Sequence, residues 1–509
     1  MVEIEIGKFT LESLTTGMYN DPEIIYREYI QNAVDSFDSA VAQGLMNYDD
    51  CRIEIIVDSD RQEISIKDNG TGIQKELAQK TLLDIGNSSK KHHSNRGFRG
   101  IGRLGGLSYC EKLSFCTSAQ NEPVKTLITF DCQKLKELLV PGVASDNNLQ
   151  MVISAVTDVQ VLSEQASAHY FIVKMEGIDD MSSLLDIDFV KDYISQVAPV
   201  PYKDRFYWGR EIKNVLSEKG YSLGEYAIFL GKSFETLSQI YKPYKITFDV
   251  STRSGINKDE IQGILYFDVK DNSGVMLAFG WYGELNFFGT IAEDNMSGIR
   301  VRQGNILIGD NKTLSPYFIE SRFNNWCIGE LFIISNDLIP NARRDGFENN
   351  KVFNEFCDYF RKNIGTPLGL KIRTASKARN NPMKKAIIKT EKTISEVEKV
   401  LEGGFNSSFE KEKTSKDLDA ARRGLYIIPK DAPNDIVEQK AALMDKIAAL
   451  SAEVDESKNY KTKKDVTSDF SKAEKKVIQA MLEVLTKNFE RSIVDNLYKE
   501  FLDELKKKG

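Results

Sequence analysis

Three short segments near the amino-terminal end carry side chains whose types and spacing could do chemistry. In REYIQNAVD, Glu28, Asn32 and Asp35 stand at i, i+4 and i+7. At about 100° per residue a helix sets these three on one face and turns Ile24, Ile30 and Val34 elsewhere. Such a face either lines a site or is solvated, and charged helix residues are mostly solvated. In IKDNGTGI a strand ends in Asp68, followed by Gly70 and Gly72. Glycine lets backbone approach a ligand closely, and a carboxylate at a strand end can accept a hydrogen bond from an exocyclic amine. A plain strand, turn and strand is the competing reading, because Asp, Asn and Gly are ordinary turn residues. In SNRGFRGIGRLGGLSYC, Gly97, Gly100 and Gly102 form G-x-x-G-x-G, and Gly105 and Gly106 extend the run. Successive backbone N–H groups in such a loop, ahead of a helix, can cradle phosphate oxygens. The loop lacks the lysine of a Walker motif and does not follow a short first strand, which sets aside the P-loop and Rossmann readings.

The elements that must position these groups are legible in outline. Asp21 can cap the helix that carries Glu28, and Pro22 suits its first turn. That helix, about 22–43, sits among alternating strands such as RIEIIV at 52–57 and EISIK at 63–67, an α+β arrangement. A second mixed segment, 185–370, has strand-like stretches at 244–250, 263–269, 299–308 and 331–335. Beyond it the composition shifts to Lys, Glu, Ala and Leu, with breakers at 380–383 and 402–408, so a helical region is expected over 380–509. Its last helix carries an apolar stripe from Val477 through Met481, Leu485, Phe489, Ile493, Leu497 and Phe501 to Leu505. The stripe would run about 42 Å and must pack on something.

Composition narrows the class. A chain of 509 residues suits about three domains, and its 41% hydrophobic and 28% charged residues are those of a folded globular protein. A formal net charge of −7 argues against nucleic-acid binding driven by global charge, though a local basic patch stays open. The start, MVEIEIGKFTLESL, has neither a basic leader nor an apolar run, so no membrane span is expected and the location expected is cytoplasmic. Six scattered cysteines without C-x-x-C spacing read as buried thiols, and three histidines, His92, His93 and His169, make no metal cluster.

Taken in order, the three segments resemble the nucleotide-binding boxes E-x-x-x-N-A-x-D, D-x-G-x-G and G-x-x-G-x-G of the gyrase, heat-shock chaperone, histidine kinase and MutL ATPases, the GHKL superfamily. MYNDPEIIYREYIQNAVDSFDSA also looks like the matching helix of the ninety-kilodalton heat-shock chaperones, whereas GFRGIG looks more like the third box of MutL proteins. The resemblance implies a GHKL (Bergerat) α/β sandwich over 1–180, binding ATP and Mg2+. It would make Glu28 the general base and Asn32 the magnesium ligand, with Asp35 beside them in the first box. Asp68 would bind the adenine amine, with Gly70, Gly72 and Ile73 around the base. Gly97, Gly100 and Gly102 would wrap the phosphates, and residues 85–96 would form a mobile lid with Lys90 as a phosphate contact. Where the family usually has a threonine in the closing strand, this chain has Ala168-His169. His169 either replaces that threonine or packs against the sheet.

LIPNARRDGFE, residues 338–348, resembles the middle-domain loop of the heat-shock chaperones that reaches the γ-phosphate. Arg344 falls where their catalytic arginine lies, with Arg343 the alternative, so 185–370 is expected to be a transducer domain. The resemblance implies an ATP-hydrolysing homodimeric clamp with a chaperone-like output on a protein client or partner enzyme, dimerised through the helical end. Its rival is a MutL-like or defence-associated ATPase acting with nucleic acid and partner enzymes. A scaffold that binds ATP without useful turnover is disfavoured by the presence of Glu28.

Overall fold

The computed structural model describes residues 7–14, 21–84, 102–143, 148–252, 255–405, 408–460 and scattered positions from 471 to 501. The chain packs as two units, Met1–Ile372 and Arg373–Gly509. It is a mixed α+β protein with further sheets after the first and a helical carboxy-terminal region. No described helix is long and apolar enough to cross a membrane.

In the first unit, helices α1 (Phe9–Leu14), α2 (Ile24–Ala42), α3 (Lys75–Leu83), α4 (Cys132–Leu139), α5 (Leu149–Val156), α6 (Ile187–Val197) and α7 (Trp208–Glu218) accompany eight strands. These are β1 (Arg52–Asp58), β2 (Glu63–Asp68), β3 (Lys112–Ser118), β4 (Val124–Asp131), β5 (Thr157–Ser163), β6 (Tyr170–Glu176), β7 (Ala227–Gly231) and β8 (Ser238–Gln239). They form one sheet in the order β5-β4-β3-β6-β2-β1-β7-β8. Every pairing is antiparallel except that of β1 with β7. The strand period of two directs Ile53, Ile55 and Val57 of β1 and Ile64 and Ile66 of β2 into one core with Ile25, Tyr26, Ile30, Val34 and Phe37 of α2. Strands β7 and β8 come from beyond residue 185 yet complete this first sheet, because β7 lies in register beside β1 from Arg52↔Ala227 onward.

Two further sheets follow. β9 (Thr247–Thr252), β10 (Gly255–Glu260) and β13 (Thr290–Ile291) form one, in the order β10-β9-β13. β11 (Gly263–Lys270), β12 (Met276–Glu284), β14 (Gly298–Gln303), β15 (Ile306–Ile308) and β16 (Ile328–Ile333) form the other, ordered β11-β12-β16-β14-β15. All four strand-like stretches read from the sequence lie within or beside these strands. A buried ionic cluster joins the third sheet to the chain leaving the first: Glu330 of β16 accepts from Lys242 Nζ at 2.7 Å, from Arg302 of β14 and from the Tyr202 hydroxyl. Burial alone would raise the Glu330 carboxyl, but Arg302 and Lys242 hold it down to about 2. Breaking one member of such a cluster leaves an uncompensated buried charge, a cost of about 3–5 kcal/mol. The cluster thereby fixes the third sheet, and the loop after it, against the first domain.

Helices α8 (Lys351–Phe360), α9 (Thr366–Asn380), α10 (Pro382–Gly403), α11 (Ser408–Gly424) and α12 (Asn434–Glu456) follow. The breakers at 380–383 and 402–408 coincide with helix ends. Ile387, Ile394 and Val397 of α10 pack with Leu418 of α11 and Leu443, Ile447 and Val454 of α12. From the expected apolar stripe, Phe489, Ile493 and Leu505 lie outside the described residues. Beside the stripe, Ile478, Leu482, Val494 and Tyr498 are buried in a cluster of their own. Leu482 is 1% exposed within a single chain, and one bare helix cannot cover its own side chain so completely. These flanking positions are therefore covered within the chain. Val477, Val484 and Leu497 remain exposed.

Candidate nucleotide site

The start of α2 differs in detail from expectation. Ile24 opens the helix and Glu23 occupies the cap position without a side-chain hydrogen bond. Asp21 and Pro22 form a preceding turn, in which their carbonyls accept from the N–H groups of Ile24 and Ile25 at 3.2 Å each. The Asp21 backbone does the capping, and its side chain stays exposed. From there α2 runs unbroken through Glu28, Asn32 and Asp35. These do not form a solvated face: Asp35 is buried, Asn32 half-buried and the Glu28 side chain 13% exposed.

Asp68 is the last residue of β2, and the same alternation that buries Ile64 and Ile66 turns it to the core side. It is 5% exposed. Burial lifts its carboxyl from the usual 3.8 to about 7, and the Gly70 N–H, donating to Oδ1 at 2.9 Å, opposes that only in part. The chain then turns through Gly72, where φ is +63° and a Cβ would overlap the Ser118 carbonyl oxygen, so only glycine is accommodated. Ile73 follows with its N–H donated to Thr117 Oγ1 at 2.8 Å.

The loop is clamped from two sides. Ser36 Oγ of α2 accepts the Thr71 N–H at 3.0 Å, and His169 Nδ1 donates to the Gly70 carbonyl at 2.7 Å. His169 therefore binds loop backbone. The buried hydroxyl beside this loop comes from Thr117 on the neighbouring strand β3, which donates to the Tyr170 carbonyl at 3.1 Å. Neither Ser36 nor Thr117 was singled out from the sequence. Ser36 had a signal, since it stands four residues after Asn32 and so continues the same helix face. Thr117 had none, because only the β3–β6 pairing brings it to the loop.

Of the third box, Gly97 and Gly100, together with Lys90 and the segment 85–96, lie outside the described residues. Gly102 is described and packs against Glu28 so closely that a Cβ would overlap Oε2 of that carboxylate. It opens a short 3-10 helix, Gly102–Ser108. Tyr29 of α2 secures that turn, its hydroxyl donating to the Arg103 carbonyl at 3.1 Å and accepting the Gly106 N–H at 3.2 Å. Arg103 in turn donates to the carbonyls of Leu82 and Asp84 at the end of α3.

The loop 338–348 reaches the same helix. It closes on itself through the Pro340 and Phe347 bridge and an Asn341 N–H bond to the Gly346 carbonyl at 3.0 Å. Arg27, the neighbour of Glu28 and 3.6 Å from its carboxylate, donates to the Arg343 carbonyl at 2.8 Å. Arg343 is exposed, whereas Arg344 is 8% exposed and held at φ 57°, a left-handed conformation unusual for a residue with a side chain. The Gly309 N–H, donating to the Arg344 carbonyl at 2.8 Å, fixes that turn.

Comparison with known proteins agrees with the three boxes. The family described as histidine kinase-, DNA gyrase B- and HSP90-like ATPase matches residues 20–159. The chain carries a GHKL-type ATPase domain. Similarity to curated proteins is distant and partial. A chaperone protein HtpG of Halalkalibacterium halodurans is 28% identical over 132 residues, 23% of this chain and 21% of that protein. The HtpG of Rickettsia typhi is 28% identical over 159 residues, 27% of this chain and 25% of its own length. That of Anaplasma marginale is 36% identical over 86 residues, 16% of this chain and 13% of its own. The match thus spans a quarter or less of these relatives. GHKL domains generally bind ATP with Mg2+, and the residues gathered here fit that ligand. A buried carboxyl group at a strand end beside a glycine turn offers an acceptor to an amine donor. The oxygen of an amide one helical turn from Glu28 is the hard donor that magnesium takes.

Proposed function

We propose that this chain binds and hydrolyses ATP with magnesium and uses the cycle to drive a chaperone-like, two-chain conformational clamp. One observation carries the reading: Arg27 joins α2, at the Glu28 carboxylate, to the loop that holds Arg344, on the same helix against which Gly102 packs. A base, the end of a glycine-rich loop and the backbone of the loop that carries Arg344 thus meet on one stretch of helix.

In this reading Asp68 accepts the adenine amine, and Gly70, Gly72 and Ile73 form the turn beside the base. Asn32 would offer its amide oxygen to magnesium, with Asp35 beside it in the first box. Magnesium, when bound, neutralises phosphate charge. Glu28 orients the water that attacks the γ-phosphate, Gly97, Gly100 and Gly102 supply backbone donors to the phosphates, and Lys90 adds a charge. Arg344 stabilises the transition state, the division of labour that phosphoryl transfer requires. Because Arg344 belongs to the segment after the first sheet, hydrolysis would depend on how that segment is seated, which is how a nucleotide could move a transducer domain. A second reading, an ATPase working on nucleic acid, gains from the lysines in the first half of α10.

Asp68→Asn tests the adenine contact. Loss of a charge-assisted hydrogen bond costs about 1.5–3 kcal/mol, so calorimetry should find ATP bound roughly ten- to a hundredfold more weakly. The amine needs the carboxylate form, and free Asp68 titrates near 7. Affinity should therefore fall by about tenfold per unit as pH drops below 7, and the Asn variant, which shares the nucleotide's own titration, should lose that extra dependence. Stability runs the other way. The raised carboxyl favours the fold when protonated, and that contribution, roughly 4 kcal/mol at 1.36 kcal/mol per unit, is lost as pH rises from about 4 to about 7. Unchanged affinity in the variant would remove Asp68 from the pocket.

Assembly is the other test. Val477, Val484 and Leu497 stay exposed beside the buried cluster, and two-fold pairing through this end is the economical way to cover them. Light scattering should find a dimer for the full chain and a monomer once residues after 465 are removed. A monomeric full chain, with and without ATP, would leave an intramolecular switch in place of a clamp.

A further inference from the structure

The chain carries a net charge of −7, yet residues 373–392 contain seven cations, Arg373, Lys377, Arg379, Lys384, Lys385, Lys389 and Lys392, and one carboxylate, Glu391. Helix α10 sorts these residues by face. Ile387, Thr390, Ile394 and Val397 are buried, and the first, third and fourth belong to the core shared with α11 and α12. Lys384, Lys385, Lys389 and Lys392 are all exposed. At about 100° per residue these four fall within an arc of roughly 140°, opposite the buried face. Arg373 and Lys377, exposed on α9, precede them. Glu396 lies within the arc, 3.9 Å from Lys392 in an exposed pair of little energetic weight, and exposed Glu391 lies about 20° outside it.

We infer that the exposed lysine face of α10 docks the phosphodiester backbone of nucleic acid. Charge complementarity selects this partner. Lys384 to Lys392 rise about 12 Å along the helix, and duplex nucleic acid presents a negative charge about every 1.7 Å of its axis, so several phosphates face the four ammonium groups at once. A lipid surface fits less well. A helix lying on a membrane inserts an apolar face opposite its basic one, but the apolar face of α10 is already committed to the core, and the basic arc offers one exposed aliphatic side chain, Ile388, 60% exposed. Contacts of this kind read no sequence and depend on salt. The inference does not rest on the nucleotide site, which lies in the other unit.

The test uses the full chain and a fluorescein-labelled 20-base-pair duplex, followed by anisotropy from 50 to 200 mM KCl. Replacing the four lysines together (Lys384→Gln, Lys385→Gln, Lys389→Gln, Lys392→Gln) should weaken binding at least about tenfold at 50 mM KCl. It should also flatten the slope of log K against log salt by roughly 0.9 for each phosphate no longer neutralised. The four-fold Lys→Arg variant should keep both affinity and slope. The pair Lys384→Gln and Lys389→Gln, the milder change should the full set disturb folding, should show about half that flattening. Glu28→Ala should bind as the parent does, which separates this result from any failure of the ATPase reading. Wild-type affinity and slope in both glutamine variants would overturn the inference, as would binding to phosphatidylserine vesicles with none to the duplex.

Discussion

Glu28→Ala is expected to lower the turnover of ATP by roughly 10²–10⁴, the usual worth of a positioned general base, while the dissociation constant for ATP with magnesium stays within about threefold. The separation follows from placement. The Glu28 carboxylate lies against Gly102 and 3.6 Å from Arg27, whereas the buried acceptor proposed for adenine is Asp68, at the end of a strand. A group acting on the attacking water adds little to ground-state affinity, so the loss belongs in kcat. Glu28→Gln keeps the volume of the side chain beside Gly102 and should be nearly as slow, which separates lost basicity from a local collapse. Single-turnover hydrolysis and calorimetry on the same preparations measure both quantities. Normal turnover in Glu28→Ala would place the chemistry elsewhere.

Arg344→Ala should slow hydrolysis by up to about 10³-fold, the lower end of what an arginine brought to a transferring phosphate contributes. Nucleotide affinity should hardly change, because such a group acts mainly in the closed transition state. Arg343→Ala should cost less than about threefold, since Arg343 is exposed and its contribution to docking is the carbonyl that Arg27 binds. Arg344→Lys should recover part of the rate through charge without the planar guanidinium fork. Should Arg343→Ala prove to be the slow variant, the loop is right and the arginine is its neighbour.

Much of the first domain was legible because its determinants are local. Periodicity of 3.6 marked α2, and alternation marked β1 and β2 within a residue of their ends. The same alternation, carried one step past Ile66, put Asp68 on the buried face, so its burial and raised carboxyl follow from sequence order. The breakers around Pro382 and Gly403 ended helices for the reasons backbone chemistry gives: proline lacks an N–H, and Gly404 takes a positive φ of 79°. The turn before α2 was misread because Asp and Pro suit both a cap and a tight turn, and local preference does not choose between them.

The sequence by itself determined the boxes, their order and the elements that carry them, because each depends on residues a few positions apart. Tertiary structure alone decided which side chains meet. Thr117 reaches the Ile73 N–H only because β3 pairs with β6, and β7 enters the first sheet only by lying parallel to β1 across some 170 residues of chain. Arg27 finds the Arg343 carbonyl 316 positions away, on a loop held by the third sheet and by the buried Glu330 cluster. Contacts of that separation are fixed by sheet register and by the cost of stranding buried charge, neither of which leaves a mark on neighbouring residues.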